Sequence, residues 1–305
     1  MSTASPYSLY LSRLSANSRT SISSQLRSVA KIMNWPVDDV SRFNQVNYQD
    51  MLQIRAMLQH AGWAARSINR AQVAIRNIVK IAVMMKLADS EQLSQLSSLS
   101  QLKHAEYPGT ALTQKQVQAL FALLERSRTE TGIRNISMFA VLLGTGLRRS
   151  ELVALELKDF DANKQALLVR NGKGNKSRTV FLPDWSLNHL KNWLTLRSRQ
   201  PGYLFCPVQA SGKVKLTTGL SVWLVLRLVK TKLQRIGVEN ASPHDLRRTF
   251  ITRLLEQNVD LNTVRQMAGH ASITTTTIYD KRDMQFMQQA ARSLSYGSSN
   301  GNSGR

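Results

Sequence analysis

Apolar residues recur at helical spacing along most of this chain, and strand-like runs are confined to one short stretch. That pattern predicts a mainly helical fold. From Ser21, the positions Ile22, Leu26, Val29, Ile32 and Met33 form a helical stripe that Asn34-Trp35-Pro36 ends. Residues 48–60 read as a second helix. A third, over 66–85, places Ile68, Ile75, Ile78, Val79 and Ala82 on one face. Arg66, Arg70, Arg76 and Lys80 gather away from that face, as a solvated stripe or a phosphate-contacting one. Residues 1–20 are polar and loosely patterned.

The pattern changes over 87–112, where Gln, Ser and Leu dominate to Leu102 and Pro108-Gly109 marks a turn or linker. Thr113 and Gln116 then have the spacing of a capping box, with Val117, Leu120, Phe121 and Leu124 on one helix face. The expected organisation is a helical domain over 1–104, a linker over 105–112, a second domain over 113–295 and a disordered tail over 296–305. Within the second domain, residues 136–143 read as a buried helix ending at Gly144-Thr145-Gly146. The β-rich runs 166–170 and 178–182 flank Asn171-Gly172-Lys173-Gly174-Asn175-Lys176 as a hairpin. From Leu187 the pattern is mostly helical, with a short strand expected at 203–205.

Charge narrows the function. Lys and Arg number 41 against 19 Asp and Glu, a formal charge of +22. Positions 1–105 hold 12 basic and 5 acidic residues, so the excess is not one basic tail. A chain basic over its whole length accumulates polyanions, of which nucleic acid is the commonest. A ribosomal or nucleoid protein binding by charge alone fits the same composition. Cys206 is the only cysteine, so no intrachain disulfide or CxxC metal pattern exists. Without a signal-peptide core or an apolar run of spanning length, a cytoplasmic, nucleoid-associated protein with no membrane partner is expected. Arg149 stands where a dinucleotide fingerprint needs its third glycine, and Gly172-Lys173-Gly174 lacks Walker A spacing. No nucleotide cofactor is implied.

Several segments carry candidate chemistry. Ser242 and Pro243 read as N-cap and first helical residue, with Asp245 completing a capping box. His244 and Arg247 then share one face at a helix N-terminus, a place that favours anions. The arginine fork suits two phosphate oxygens, and imidazole exchanges protons near neutral pH. Arg148 opens another helix with Glu151 one turn on, a spacing that also fits a surface pair. Gly269 reads as the residue after a helix over 260–268, followed by His270. Tyr279 lies nine residues beyond His270. A phenol with a free pKa of about 10 is a weak nucleophile and needs cations nearby, which Arg148, Arg247 and Lys173 could supply.

In order and spacing, Gly146-Leu147-Arg148-Arg149-Ser150-Glu151-Leu152, Gly172-Lys173-Gly174-Asn175-Lys176, His244-Asp245-Leu246-Arg247, Gly269-His270 and Tyr279 resemble the tyrosine recombinases, the phage integrase family. The resemblance covers 111–294 well and 5–100 more loosely. It implies a mainly α fold: a SAM-like helical core-binding domain, then a mostly helical catalytic domain with a small antiparallel β-sheet. It implies that Arg148 and Arg247 clamp the scissile phosphate and that Lys173 protonates the departing 5′ oxygen. His244 becomes the general acid/base, His270 a phosphate hydrogen-bond donor, Glu151 a supporting acid and Tyr279 the 3′-phosphotyrosine. Neither metal nor ATP is implied, so no cofactor is expected.

The implied partner is double-stranded DNA with inverted-repeat half-sites, held by a homo-tetramer on two duplexes, with a second recombinase or accessory protein left open. Met284, Phe286, Met287, Ala290 and Leu294 would form a C-terminal helix face that docks on a neighbouring subunit or on its own domain. The chain departs from the family at Arg248, where a histidine is usual, and at Met267-Ala268, where leucines are. Two other functions use related parts: a type IB topoisomerase-like enzyme, and a non-catalytic DNA-binding regulator. The two-domain size weighs against the first, and the complete residue set against the second.

Overall fold

The computed structural model describes residues 4–36, 40–103, 109–170 and 177–269. The chain divides into two units, residues 1–107 and 108–305. It is mainly helical with one small antiparallel sheet, as the residue patterns predict.

The first unit contains α1 (Pro6–Ser12), α2 (Ala16–Ile32), α3 (Tyr48–His60), α4 (Ala65–Met84) and α5 (Ser90–Ser98). α4 is its centre. Ile68, Ile75, Ile78, Val79 and Ala82 are all buried, and the other four helices pack around them. α1 forms within the stretch read as loosely patterned. Ser5 caps it by accepting the Ser8 N–H, Pro6 opens it, and buried Tyr7 stacks on Phe43. Seven residues are too few for a helical period to register. α5 likewise forms where the composition suggested a change towards linker. Asp89 caps it, and Leu96 and Leu99 join the core.

The second unit contains α6 (Gln114–Glu125), α7 (Glu130–Thr145), α8 (Arg149–Ala154), β1 (Phe160–Asp161), β2 (Ala166–Val169), β3 (Arg178–Phe181), α9 (Asp184–Arg197), α10 (Val222–Gln234), α11 (Pro243–Glu256) and α12 (Leu261–Ala268). The capping box of α6 is closed in both directions, Gln116 N–H to Thr113 Oγ1 at 3.2 Å and Thr113 N–H to Gln116 Oε1 at 2.9 Å. α7 is buried along most of its length and packs against α6, α9 and α11. It stops at Gly146, whose φ of 63° is left-handed, and a Cβ there would lie 2.3 Å from the Phe250 ring. Only glycine meets both demands.

The sheet order is β1-β2-β3, antiparallel throughout, with Ala166 opposite Phe181 and Val169 opposite Arg178. The hairpin tip at 171–176 lies outside the described residues. β1, two residues long, is an element the sequence pattern did not signal. At 203–205 there is a single bridge from Tyr203 to Glu156 rather than a strand. There the Leu204 carbonyl is taken by the Trp193 indole at 2.8 Å, and Leu204 and Phe205 are buried in the helical core. Of the expected linker, residues 109–112 instead lie along α11, with Leu112 buried and its N–H on Thr249 Oγ1 at 2.8 Å. The apolar positions from Met284 to Leu294, and the tail over 296–305, lie outside the described residues. No described helix is long and apolar enough to cross a membrane.

Candidate active site

α11 starts where its capping signals place it. Asp245 accepts the Ser242 N–H at 2.8 Å and its hydroxyl at 3.0 Å. His244, second in the helix, keeps an exposed surface, while Arg247 turns inward and is 5% exposed. Its Nη1 donates to the Gly146 carbonyl at 2.7 Å and its Nη2 to the Ala268 carbonyl at 2.5 Å. The left-handed turn at Gly146 exposes one of these acceptors, and the end of α12, where Gly269 has φ 66°, exposes the other. Helix C-termini carry unsatisfied carbonyls and partial negative charge, so they hold cations well.

Arg148 reaches the same helix end from the α7–α8 turn. Its Nη2 donates to the Gly269 carbonyl at 3.0 Å and its Nη1 to Glu151 Oε1 at 2.8 Å. The two arginines thus bond consecutive carbonyls. Glu151, far from forming a surface pair, is 8% exposed. It also accepts the Arg148 backbone N–H at 2.8 Å, and both its oxygens are held by Arg178 at 3.0 and 2.8 Å. Burial alone would raise its pKa, but the bonds from Arg178 and Arg148 outweigh that and hold it at about 2. The pKa of His244 is lowered, first by desolvation and then by Arg247, Arg149 and Arg148, with Asp245 opposing. The shift favours the neutral imidazole, the form able to accept a proton. A cationic cluster beside a neutral base at a helix N-terminus can hold an oxyanion and receive a proton next to it.

The structure brings Arg148, Glu151, His244 and Arg247 together. Lys173, His270 and Tyr279 lie outside the described residues. Among these, no three His, Cys, Asp or Glu side chains come together to hold a metal ion. On α4, Arg66, Arg70 and Lys80 are exposed, and Arg70 donates to Ser21 Oγ at 2.8 Å. Arg76 differs from them. It is half-buried and its Nη2 reaches the Leu99 carbonyl at 3.4 Å, beside Arg55 on the Ser100 carbonyl at 2.5 Å. At about 100° per residue it sits at the edge of the basic stripe, close enough to the core to cap the end of α5 instead. At the family departure, Arg248 pairs with Asp245 at 3.5 Å.

Arg178 is the residue that the motifs did not signal. It shares the inner face of β3 with buried Val180, and a cation at a core-facing strand position must find a buried anion. That alternation was the available clue. Beside this site an apolar groove of about 530 Å³ is lined by Phe181, Trp185, Phe250, Leu254 and Met267, among others.

Residues 110–285 match the phage integrase family. The chain is 31% identical over 258 residues to the tyrosine recombinase XerA of Pyrococcus furiosus, covering 82% of this chain and 83% of that protein. It is 33% identical over 238 residues to the tyrosine recombinase XerC of Pediococcus pentosaceus, covering 75% of each. In fold it resembles the Tn1549 transposon integrase in complex with circular intermediate DNA, with a TM-score of 0.69 at 18% identity over 95% of this chain and 99% of that one. It also resembles the XerH site-specific recombinase bound to palindromic difH substrate, with a TM-score of 0.64 at 22% identity over 81% and 72%.

Proposed function

The chain belongs to the phage integrase family and is a site-specific tyrosine recombinase, an enzyme that cleaves and rejoins DNA; on that premise we propose how its own residues do so. Arg148 and Arg247 hold the non-bridging oxygens of the scissile phosphate. The phenol oxygen of Tyr279 attacks phosphorus, giving its proton to His244, and the 5′ oxygen leaves with a proton from Lys173. His270 donates a hydrogen bond to the phosphate, and Glu151 holds Arg148. Reversal, with a 5′ hydroxyl attacking the 3′-phosphotyrosine, rebuilds the backbone without an external energy source. The observation that carries this reading is the meeting of Arg148 and Arg247 on the consecutive carbonyls of Gly269 and Ala268. Placed so, two guanidinium groups suit the charge of a phosphoryl transition state.

Incubating the protein with nicked suicide duplexes from DNA flanking its own gene tests the assignment. The wild type should form a covalent adduct, and Tyr279→Phe none. An adduct that persists in Tyr279→Phe, or its absence on a duplex the protein binds specifically, would sink the mechanism. Arg148→Ala and Arg247→Ala should each lower adduct yield by about 100-fold or more.

The DNA partner follows from the reaction, and inverted half-sites are supported by the palindromic substrate recorded for XerH. We place residues 1–107 on that DNA as the core-binding part, with Arg66, Arg70 and Lys80 of α4 towards phosphates. Assembly is a homo-tetramer on two duplexes, open to a second recombinase or accessory protein, and sedimentation of the DNA complex would count the subunits. The apolar groove beside the site offers a seat for the face formed by Met284, Phe286, Met287, Ala290 and Leu294 of a neighbour. Acting on DNA, the protein works in the cytoplasm with the nucleoid.

A further inference from the structure

Glu151 is shared unequally between two arginines. Arg178 meets it fork to fork, with Nη1 on Oε1 at 3.0 Å and Nη2 on Oε2 at 2.8 Å. Arg148 makes a single side-chain bond to it, Nη1 on Oε1 at 2.8 Å. A bidentate fork is the strongest arrangement a carboxylate offers an arginine, and Glu151 has only one to give. We propose that Arg178 is a positioning residue for the phosphate clamp: by occupying the Glu151 fork it restricts Arg148 to one bond there and keeps that guanidinium turned towards the phosphate. The proposal rests on the reading of Arg148 as a phosphate ligand.

Its surroundings fit the role. The Arg178 side chain is 14% exposed, and its Nε also reaches the Met267 carbonyl at 3.4 Å. Its guanidinium lies under Gly269, where a Cβ would stand 2.7 Å from Cζ. One side chain therefore touches both the carboxylate that holds Arg148 and the helix end on which Arg148 and Arg247 rest. Charge gives a second reason. Alone with Glu151, Arg148 would form a neutral pair, whereas two arginines against one carboxylate keep a net positive charge for an anion. Position gives a third. Arg178 begins β3 five residues after Lys173 in the sequence, and just past the end of β2, the strand opposite, Arg170 pairs with buried Asp159. The charged groups facing Glu151 are Arg178 from β3 and Arg148 from the α7–α8 turn. Arg247 from α11 meets the end of α12 beside them.

The test uses the full chain with two readouts, binding of orthovanadate as a phosphate mimic and adduct formation on the nicked duplexes. In Arg178→Met at pH 8, Glu151 should capture Arg148, weakening vanadate binding about tenfold and adduct formation about 100-fold relative to wild type. The ratio to wild type should recover as the pH is lowered and Glu151 protonates. It should also recover at pH 8 in the double variant Arg178→Met/Glu151→Gln, to the level of Glu151→Gln alone. Arg178→Lys keeps the charge without the fork and should be intermediate. This variant carries the test if the Met variant does not fold, and wild-type behaviour in it would overturn the role of the fork.

A defect in Arg178→Met that is the same at every pH and unrelieved by Glu151→Gln would make Arg178 merely structural. A double variant below Glu151→Gln alone would do the same. Wild-type protein that forms no adduct but shows the vanadate pattern would refute the reaction and leave Arg178 standing. Adduct formation without the vanadate pattern would do the reverse.

Discussion

Arg247 joins a proposed catalytic role to stability in one side chain. It is buried, and its Nη groups serve the carbonyls of Gly146 and Ala268. Arg247→Ala should therefore cost roughly 2–4 kcal/mol in urea denaturation as well as abolish cleavage, because buried acceptors lose their donors. Glu151 makes the complementary case for pH. Its carboxyl sits at about 2 against an ordinary 4.5, so its contribution is complete above pH 4.5 and is lost as pH falls towards 2. Relative to Glu151→Gln, the wild type should lose on the order of 3 kcal/mol across that interval, measured by denaturation at successive pH values. The placement of His244 and Arg247 was legible because a capping box fixes where a helix begins and therefore what shares its first turn. Arg178 was not, because its partner lies 27 residues away and only the folded sheet brings them together.

Elements transmit these demands. Gly146→Ala would both strain a left-handed residue and push on Phe250, shifting the carbonyl that orients Arg247. A loss of roughly 1–3 kcal/mol in thermal denaturation, with a larger loss of cleavage, is expected. The α4 arginines separate by surroundings, Arg66 exposed and Arg76 half-buried against the end of α5. Arg66→Ala should lower the salt dependence of DNA binding by about one unit of slope, the effect of one lost phosphate contact. Arg76→Ala should leave that slope unchanged and lower the melting temperature, since it holds the end of α5. The long helices α2, α4, α6, α7 and α11 could be anticipated because they present several turns of apolar residues. α1, α5 and β1 could not, because short elements owe their conformation to caps and to partners such as Phe43 and Leu167 that are remote or out of pattern.

At the scale of the whole molecule, each unit has an apolar core of its own. Among the described residues, one is built around α4 and the other around α7. Residues 1–107 expressed alone should therefore unfold cooperatively, with coincident circular dichroism and fluorescence transitions; a broad, non-coincident melt would refute an independent core. The separation has an evolutionary consequence. A crossover between related genes near codon 107 would join two intact cores, and the clamp of Arg148, Glu151, Arg178 and Arg247 would be inherited whole. Lineages of such chains can exchange the first unit while the ancestry of the second stays unbroken.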